Sequence, residues 1–293
     1  MPTQHLPKIA DRLALFALWR MGFRRRWVET SVGRMHLVEG PGRGRLPPMV
    51  MLHGFSSAGV HYLPMVARLR PVVSRLVLPD LAGHGFSAVP EQGLNADTLR
   101  SSLFETLDAV IDEPVVLLGN SMGGLAAIHY ARERPERVRG LVLLSPGGAR
   151  MDEGEIRALS RTFELRSHDE ALEFVDRLLS RPSPLRSLLA LGVRASFGHP
   201  ALQDLIQSIR PDDLLKPEEL GDLQMPALLM WGRDERILPQ SSFAFFQQHL
   251  PQHVRVLEPE GFGHSPFLDD PDRLAHYLFG FLADLQSLSL IHI

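Results

Sequence analysis

Short apolar runs that alternate with amphipathic segments constrain the fold of this chain more than any other feature. The runs are bounded by Gly, Pro or Asp and have the nearly continuous apolar character of strands covered on both faces; they lie at 49–52, 75–78, 115–118, 140–144, 227–231 and 254–257. Helical patterns fill the gaps, at 60–69, 95–111, 122–132, 240–250 and 271–286. Two earlier segments, 27–31 and 34–39, resemble an antiparallel pair. The pattern therefore predicts an α/β fold with a mostly parallel, eight-stranded sheet.

Composition excludes several classes of protein. The 293 residues are 44% hydrophobic and 22% charged, which suits one α/β domain with an insertion and excludes wholesale disorder. The net charge of −3 leaves no broad basic surface, so we expect no nucleic-acid partner. The chain has no cysteine, which excludes disulfides, thiolate metal sites and thiol nucleophiles.

One gap in the strand pattern is too long for a simple crossover. Residues 147–223 contain only helix-like segments separated by Pro, Gly and Ser. We predict that they form a helical cap over the carboxyl ends of the strands, where ligands bind in open α/β sheets. The core would then comprise residues 26–146 and 224–287.

The two ends of the chain are considered separately. Residues 8–23 predict a helix that is too short to cross a bilayer, and the arginines after it leave no signal-peptide cleavage site. This segment, within an N-terminal unit of residues 1–25, either packs on the protein or lies at a membrane interface with Trp19 and Phe23 in lipid. We therefore expect a cytoplasmic protein, with peripheral membrane contact as the alternative. The apolar end, residues 288–293, is expected to be a non-native tail left by sequencing or assembly.

The strongest motif is G-x-S-x-G at Gly119-Asn120-Ser121-Met122-Gly123. It lies between an apolar strand and a helical segment, which is the context of a nucleophile elbow. In such a turn the serine hydroxyl is exposed, and small residues at Gly119 and Gly123 allow the strand and helix to pack closely. Ser121 is therefore the candidate nucleophile, with an ordinary glycine-rich turn as the alternative.

A serine hydroxyl needs a base, and the base needs a third group to orient it. On a fold of this type the expected order along the chain is serine, acid, histidine. We predict Asp234 as the acid and His264 as the base, because each follows a predicted buried strand. The neighbouring Glu235 is expected to be a solvated charge.

Acyl transfer also requires donors for the developing oxyanion. The amide of Met122, which follows the nucleophile, is one candidate. The other is the amide of Phe55 in Leu52-His53-Gly54-Phe55-Ser56, with His53 as an organiser of the loop.

Together the motifs HGFSS, DLAGHGFS, GNSMGG, WGRDERILP and GFGHSPFLDDP resemble the α/β-hydrolase superfamily over about residues 28–286. Within it the pattern is most similar to monoacylglycerol lipases and bacterial lipases and esterases. The resemblance implies the same triad, the same oxyanion donors and a helical cap at about 147–222.

The chain is therefore expected to be a serine carboxylester hydrolase that acts on a small-molecule or lipid ester, without metal or organic cofactor. Two alternatives remain: a carbon–carbon bond hydrolase of ring-fission products, and a catalytically silent binding protein. We predict that apolar side chains of the cap form the acyl pocket, with the alternative that they merely pack the cap onto the core. These side chains are Leu178, Leu179, Leu188, Leu189 and Phe197.

Overall fold

The computed structural model describes residues 9–291, and an eight-stranded sheet forms its centre. The strand order is β1-β2-β4-β3-β5-β6-β7-β8; β2 runs antiparallel to β1 and β4, and the other neighbours are parallel. The strands are β1 (Arg24–Thr30), β2 (Gly33–Pro41), β3 (Met49–Leu52), β4 (Arg75–Pro79), β5 (Val115–Ser121), β6 (Val138–Pro146), β7 (Ala227–Met230) and β8 (Arg255–Leu257). The predicted fold class is confirmed.

Helices cover both faces of this sheet. Within residues 9–291 they are α1 (Ile9–Arg20), α2 (Leu63–Leu69), α3 (Ala96–Val110), α4 (Met122–Glu133), α5 (Glu153–Thr162), α6 (His168–Leu178), α7 (Arg186–Phe197), α8 (Pro200–Ser208), α9 (Pro217–Gly221), α10 (Gln240–His249), α11 (Pro266–Asp269) and α12 (Pro271–Ile291). Successive residues of a strand point to opposite faces. Leu117 therefore packs in the core with α3, α4 and α10, whereas Val116 and Leu118 pack in the core with α1, α2 and α12.

One strand departs from the predicted burial on both faces. In β8, Arg255 and Val256 are exposed, because this strand lies at the edge of the sheet and pairs only with β7. The apolar pattern at 254–257 predicted the strand but not its position in the sheet.

The long gap between β6 and β7 contains α5 to α9, and the described residues of that stretch form no strand. Side-chain caps begin two of its helices. Asp152 caps α5, and Ser167 caps α6 by accepting a hydrogen bond from the amide of Glu170. The stretch expected to form a cap is thus helical.

The N-terminal helix α1 spans most of the predicted segment 8–23, and residues 1–8 of the predicted N-terminal unit lie outside the described residues. Leu18 is fully buried against the sheet. Phe23, which only the membrane-interface alternative placed in lipid, is also buried, because it packs under α1 against Gly40 of β2. No helix within residues 9–291 combines the length and apolar character that a membrane span requires. Of the predicted tail 288–293, residues 292 and 293 lie outside the described residues.

The glycines of the nucleophile elbow allow the strand and helix to make backbone contact. A Cβ on Gly119 would lie 2.2 Å from the carbonyl oxygen of Gly123, and a Cβ on Gly123 would lie 2.3 Å from that of Leu52. Both obstacles are main-chain atoms, so a rotamer change cannot relieve them.

We therefore expect Gly123→Ala to lower the free energy of unfolding by about 1–3 kcal/mol through overpacking. Gly280→Ala is the matched control. Gly280 lies in α12 with no atom within 4 Å of its would-be Cβ, so alanine there should stabilise the protein by about 0.5–1 kcal/mol. Urea unfolding followed by circular dichroism measures both, and equal stability of the two variants would contradict this account.

Candidate active site

Ser121 occupies the turn between β5 and α4. Its backbone has φ 54° and ψ −122°, a positive φ that side-chain-bearing residues rarely adopt and that is typical of functional sites. The preceding strand is buried throughout, and Ser121 itself is 9% exposed. The sequence therefore folds into the strained strand-to-helix turn that the motif predicted.

His264 lies on the loop that follows β8, and Asn120 fastens this loop to the elbow. The side-chain amide of Asn120 donates hydrogen bonds to the carbonyl oxygens of His264, at 2.9 Å, and Leu144, at 3.0 Å. Because Asn120 immediately precedes Ser121, this amide brings the loop of the predicted base to the predicted nucleophile. Sequence reasoning overlooked Asn120, although a polar side chain inside an otherwise apolar strand was a signal for it.

The carboxylate that contacts His264 is Glu235, not Asp234. The Nδ1 atom of His264 lies 2.8 Å from Oε2 of Glu235, and the Glu235 side chain is 2% exposed rather than solvated as predicted. Asp234 instead accepts a hydrogen bond from the amide of Gly261 at 3.0 Å, and its own amide donates to the carbonyl of Phe262. Asp234 thus holds the backbone of the histidine loop.

The physical reason for this difference is the direction of two adjacent side chains. The turn after β7 is closed by a hydrogen bond from the amide of Glu235 to the carbonyl of Gly232. Within it the neighbouring carboxylates point to different partners, and the sequence offers two acids at successive positions without indicating the direction of either. β7 ends at Met230, one residue before the predicted end of the strand.

The environment of Glu235 keeps its carboxylate ionised. Burial alone would raise the pKa of Glu235, but the proximity of His264 and hydrogen bonds from the amides of Ile237 and Leu238 lower it overall. An ionised carboxylate at Nδ1 selects the tautomer that carries its proton there. Nε2 of His264 is then left as the basic nitrogen.

The predicted oxyanion donors lie on either side of the nucleophile. Met122 is the first residue of α4, so its amide has no acceptor within the helix. A Cβ on Gly54 would lie 3.1 Å from the Cβ of Ser121, which places the Phe55 loop directly against the elbow. Phe55, Ser121 and Met122 all line the same cavity.

His53 fastens the loop that carries Phe55 to the segment after β4. Its Nδ1 donates to the carbonyl of Gly54 at 2.8 Å, and its Nε2 accepts from the amide of Leu81 at 3.0 Å. Burial lowers the pKa of His53, which favours the neutral ring that this pair of bonds requires.

A second chain of hydrogen bonds ties the same loop to the N-terminal helix. His61 Nδ1 lies 2.9 Å from the hydroxyl of Ser57, and His61 Nε2 lies 3.0 Å from Oδ1 of Asp11 in α1. The amide of Ser57 donates to the carbonyl of Gly54. Sequence reasoning missed this link, because Asp11 and His61 carry no motif and meet only in the folded chain.

The cavity at Ser121 has a volume of about 330 Å³, within the range of small-molecule sites. Its wall is mainly apolar, with side chains from α3, α4, α5 and α8 and from the residue that follows α5: Leu103, Leu125, Ile156, Leu159, Ile206 and Phe163. The cavity can accept an apolar chain beside the nucleophile.

The side chains predicted to form this pocket lie elsewhere. Leu178, Leu179 and Leu189 pack between α6 and α7, and Leu188 is 60% exposed. Phe197 lies behind the wall, with its ring 5.1 Å from the ring of Phe55. The prediction was wrong because it assumed that the apolar side chains of α6 and α7 face the substrate cavity, whereas most of them are buried between these two helices.

Asp269 joins the segment that follows α6 to the histidine loop. Its two carboxylate oxygens accept hydrogen bonds from the amides of Ser180 and Gly263, each at 2.7 Å. The neighbouring Asp270 caps α12 by accepting a hydrogen bond from the amide of Arg273. The segment that follows α6 thus contacts the loop that carries His264.

Comparison with known proteins identifies the family of the chain. The model of the alpha/beta hydrolase family matches residues 49–277. A pimeloyl-[acyl-carrier protein] methyl ester esterase of Xanthomonas campestris is 31% identical over 257 residues, which cover 83% of this chain and 97% of the relative.

Two solved structures share the fold. A Bacillus subtilis carboxylesterase superimposes with a TM-score of 0.75 at 22% identity, covering 93% of this chain and 95% of its own. A 2-hydroxy-6-oxo-6-phenylhexa-2,4-dienoate hydrolase of Rhodococcus gives 0.78 at 21% identity, covering 89% and 99%. The chain belongs to the alpha/beta hydrolase family and, within it, to the esterases.

Proposed function

We propose that this protein is a serine carboxylester hydrolase that works through an acyl-enzyme on Ser121, with His264 as base and Glu235 as the acid. The observation that carries the proposal is the buried Glu235–His264 pair, fastened beside the nucleophile by Asn120. A binding protein would have no need of an ionised carboxylate buried against an imidazole next to a strained serine.

In the first half of the reaction the hydroxyl of Ser121 attacks the ester carbonyl while Nε2 of His264 takes its proton. Glu235 stabilises the imidazolium that forms. His264 then gives this proton to the departing alcohol. In the second half, water attacks the acyl-enzyme with His264 again as the base, and Ser121 leaves with the proton.

The amides of Phe55 and Met122 would hold the oxygen on which negative charge develops. Both are main-chain groups, so their positions depend on the elbow and on the loop that His53 and Ser57 support. The apolar cavity would take the acyl or alkyl chain of the substrate. Small-molecule and lipid esters, including monoacylglycerols, are the substrates that this wall favours.

We expect Ser121→Ala to abolish hydrolysis of p-nitrophenyl esters and labelling by a fluorophosphonate, because the variant removes the hydroxyl that the proposal assigns as the nucleophile. The thermal unfolding temperature should stay at or above that of the wild type, since the variant removes only a hydroxyl. A folded Ser121→Ala enzyme that retains substantial activity would refute the assignment.

The choice between two adjacent acids gives a matched pair of variants. Glu235→Gln removes the charge at Nδ1 of His264 and should lower kcat by about 10³–10⁴, as loss of the orienting carboxylate does elsewhere. Asp234→Asn keeps one acceptor for the amide of Gly261 and should cost far less. A larger loss in Asp234→Asn than in Glu235→Gln would restore Asp234 as the acid.

A substrate panel separates this proposal from carbon–carbon bond hydrolysis. Acetyl to palmitoyl esters, a monoacylglycerol and a ring-fission product would be compared by kcat/KM. Turnover of the ring-fission product without turnover of any ester would favour the second activity.

We also propose that α1 makes a peripheral contact with lipid. Apolar side chains recur on its outer face at a helical spacing and are more than half exposed: Ile9, Leu13, Phe16 and Trp19. Arg12 and Arg20 lie exposed among them and could contact anionic headgroups. The opposite face, with Leu18, is already buried against the protein.

Vesicle flotation tests this contact. The wild type should float with phosphatidylglycerol vesicles, and Leu13→Ser with Phe16→Ser should reduce the floating fraction several-fold. The control pair Leu188→Ser with Leu191→Ser removes equally exposed leucines, 60% and 56%, from α7. Equal flotation of the two double variants would overturn the proposal. A wild-type dimer, detected by light scattering, that the Leu13→Ser and Phe16→Ser double variant no longer forms would overturn it too.

A further inference from the structure

The wall that α4 presents to the cavity contains one polar position. Met122, Leu125, Ala126 and His129 all line the cavity, at the i, i+3, i+4 and i+7 spacing of one helical face. His129 therefore lies two helical turns beyond the nucleophile, on the same side as the oxyanion donor. The catalytic proposal assigns it no role.

His129 is half-buried, and its imidazole makes no hydrogen bond to any residue in the described range 9–291. The charged groups around it are Glu219, Arg132, Arg100 and Glu133. These four pair with one another, Arg132 with Glu219 at 2.6 Å and Arg100 with Glu133, so none is committed to the imidazole.

Burial lowers the pKa of His129, so the ring is neutral at pH 7 and can donate one hydrogen bond. An alkyl chain in the cavity would strip water from this ring and leave its N–H without a partner. A substrate chain with a hydrogen-bond acceptor beside His129 would accept the N–H hydrogen bond in place of that water.

We propose that His129 binds a second carbonyl oxygen of the substrate, so that the preferred esters are those whose acyl chain carries another ester, thioester or carboxyl group at its far end. His129 lies seven positions after Met122 in the helix, a rise of about 10 Å. An extended chain covers that distance in roughly eight bonds. This inference rests on the proposed function, because it places the scissile carbonyl at Ser121.

The test compares dimethyl esters of straight-chain diacids, from glutarate to sebacate, with methyl esters of the monoacids of equal length. For the wild type, the ratio of kcat/KM between diester and monoester should be highest near suberate and azelate. His129→Leu should lower that maximum about five- to tenfold, with the monoester of equal length measured on the same enzyme as the reference. His129→Gln, which keeps an N–H donor, should retain part of the preference.

The monoester rate reports folding and catalysis in the same enzyme, so the two failures can be distinguished. An unchanged ratio in His129→Leu, with monoesters still hydrolysed, overturns the role of His129 alone. A wild type that hydrolyses none of these esters and resists fluorophosphonate labelling overturns the proposed function itself.

Discussion

The side-chain amide of Asn120 is the contact on which the geometry of the site depends most. Its two N–H groups are both used, one on the carbonyl of Leu144 in the adjacent strand and one on the carbonyl of His264. Buried amide donors are costly to leave unpaired. The end of β5, the end of β6 and the histidine loop are therefore held together by one residue that contributes no chemistry itself.

The buried pair of Glu235 and His264 depends on this scaffold. A carboxylate that is 2% exposed is tolerable only where donors compensate for lost water, and the amides of Ile237 and Leu238 supply them beside the imidazole. Asp234 contributes indirectly, because it fixes the backbone of the histidine loop at Gly261 and Phe262. Adjacent acids thus have separate tasks, one on the base and one on the loop that carries it.

The loop that carries Phe55 is supported from two directions. His53 fastens it to the segment after β4, and the chain Ser57–His61–Asp11 fastens it to α1. The helix whose outer face is proposed to contact lipid is therefore joined by hydrogen bonds to the loop proposed to hold the oxyanion. The segment after α6 is joined to the site separately, because Asp269 bridges Ser180 and Gly263.

Local pattern alone determined the strands, the helices, the elbow at Ser121 and the candidate base, because hydrophobic period and glycine spacing are properties of neighbouring residues. It also indicated the antiparallel start of the sheet and the helical stretch before β7. Only tertiary structure decided between Asp234 and Glu235, since side chains one residue apart point in different directions and the partner lies 29 positions away. Only tertiary structure also decided which side chains form the cavity wall, because α6 and α7 bury leucines against each other. An amphipathic pattern shows that a helix face is buried, but it does not show which element covers that face.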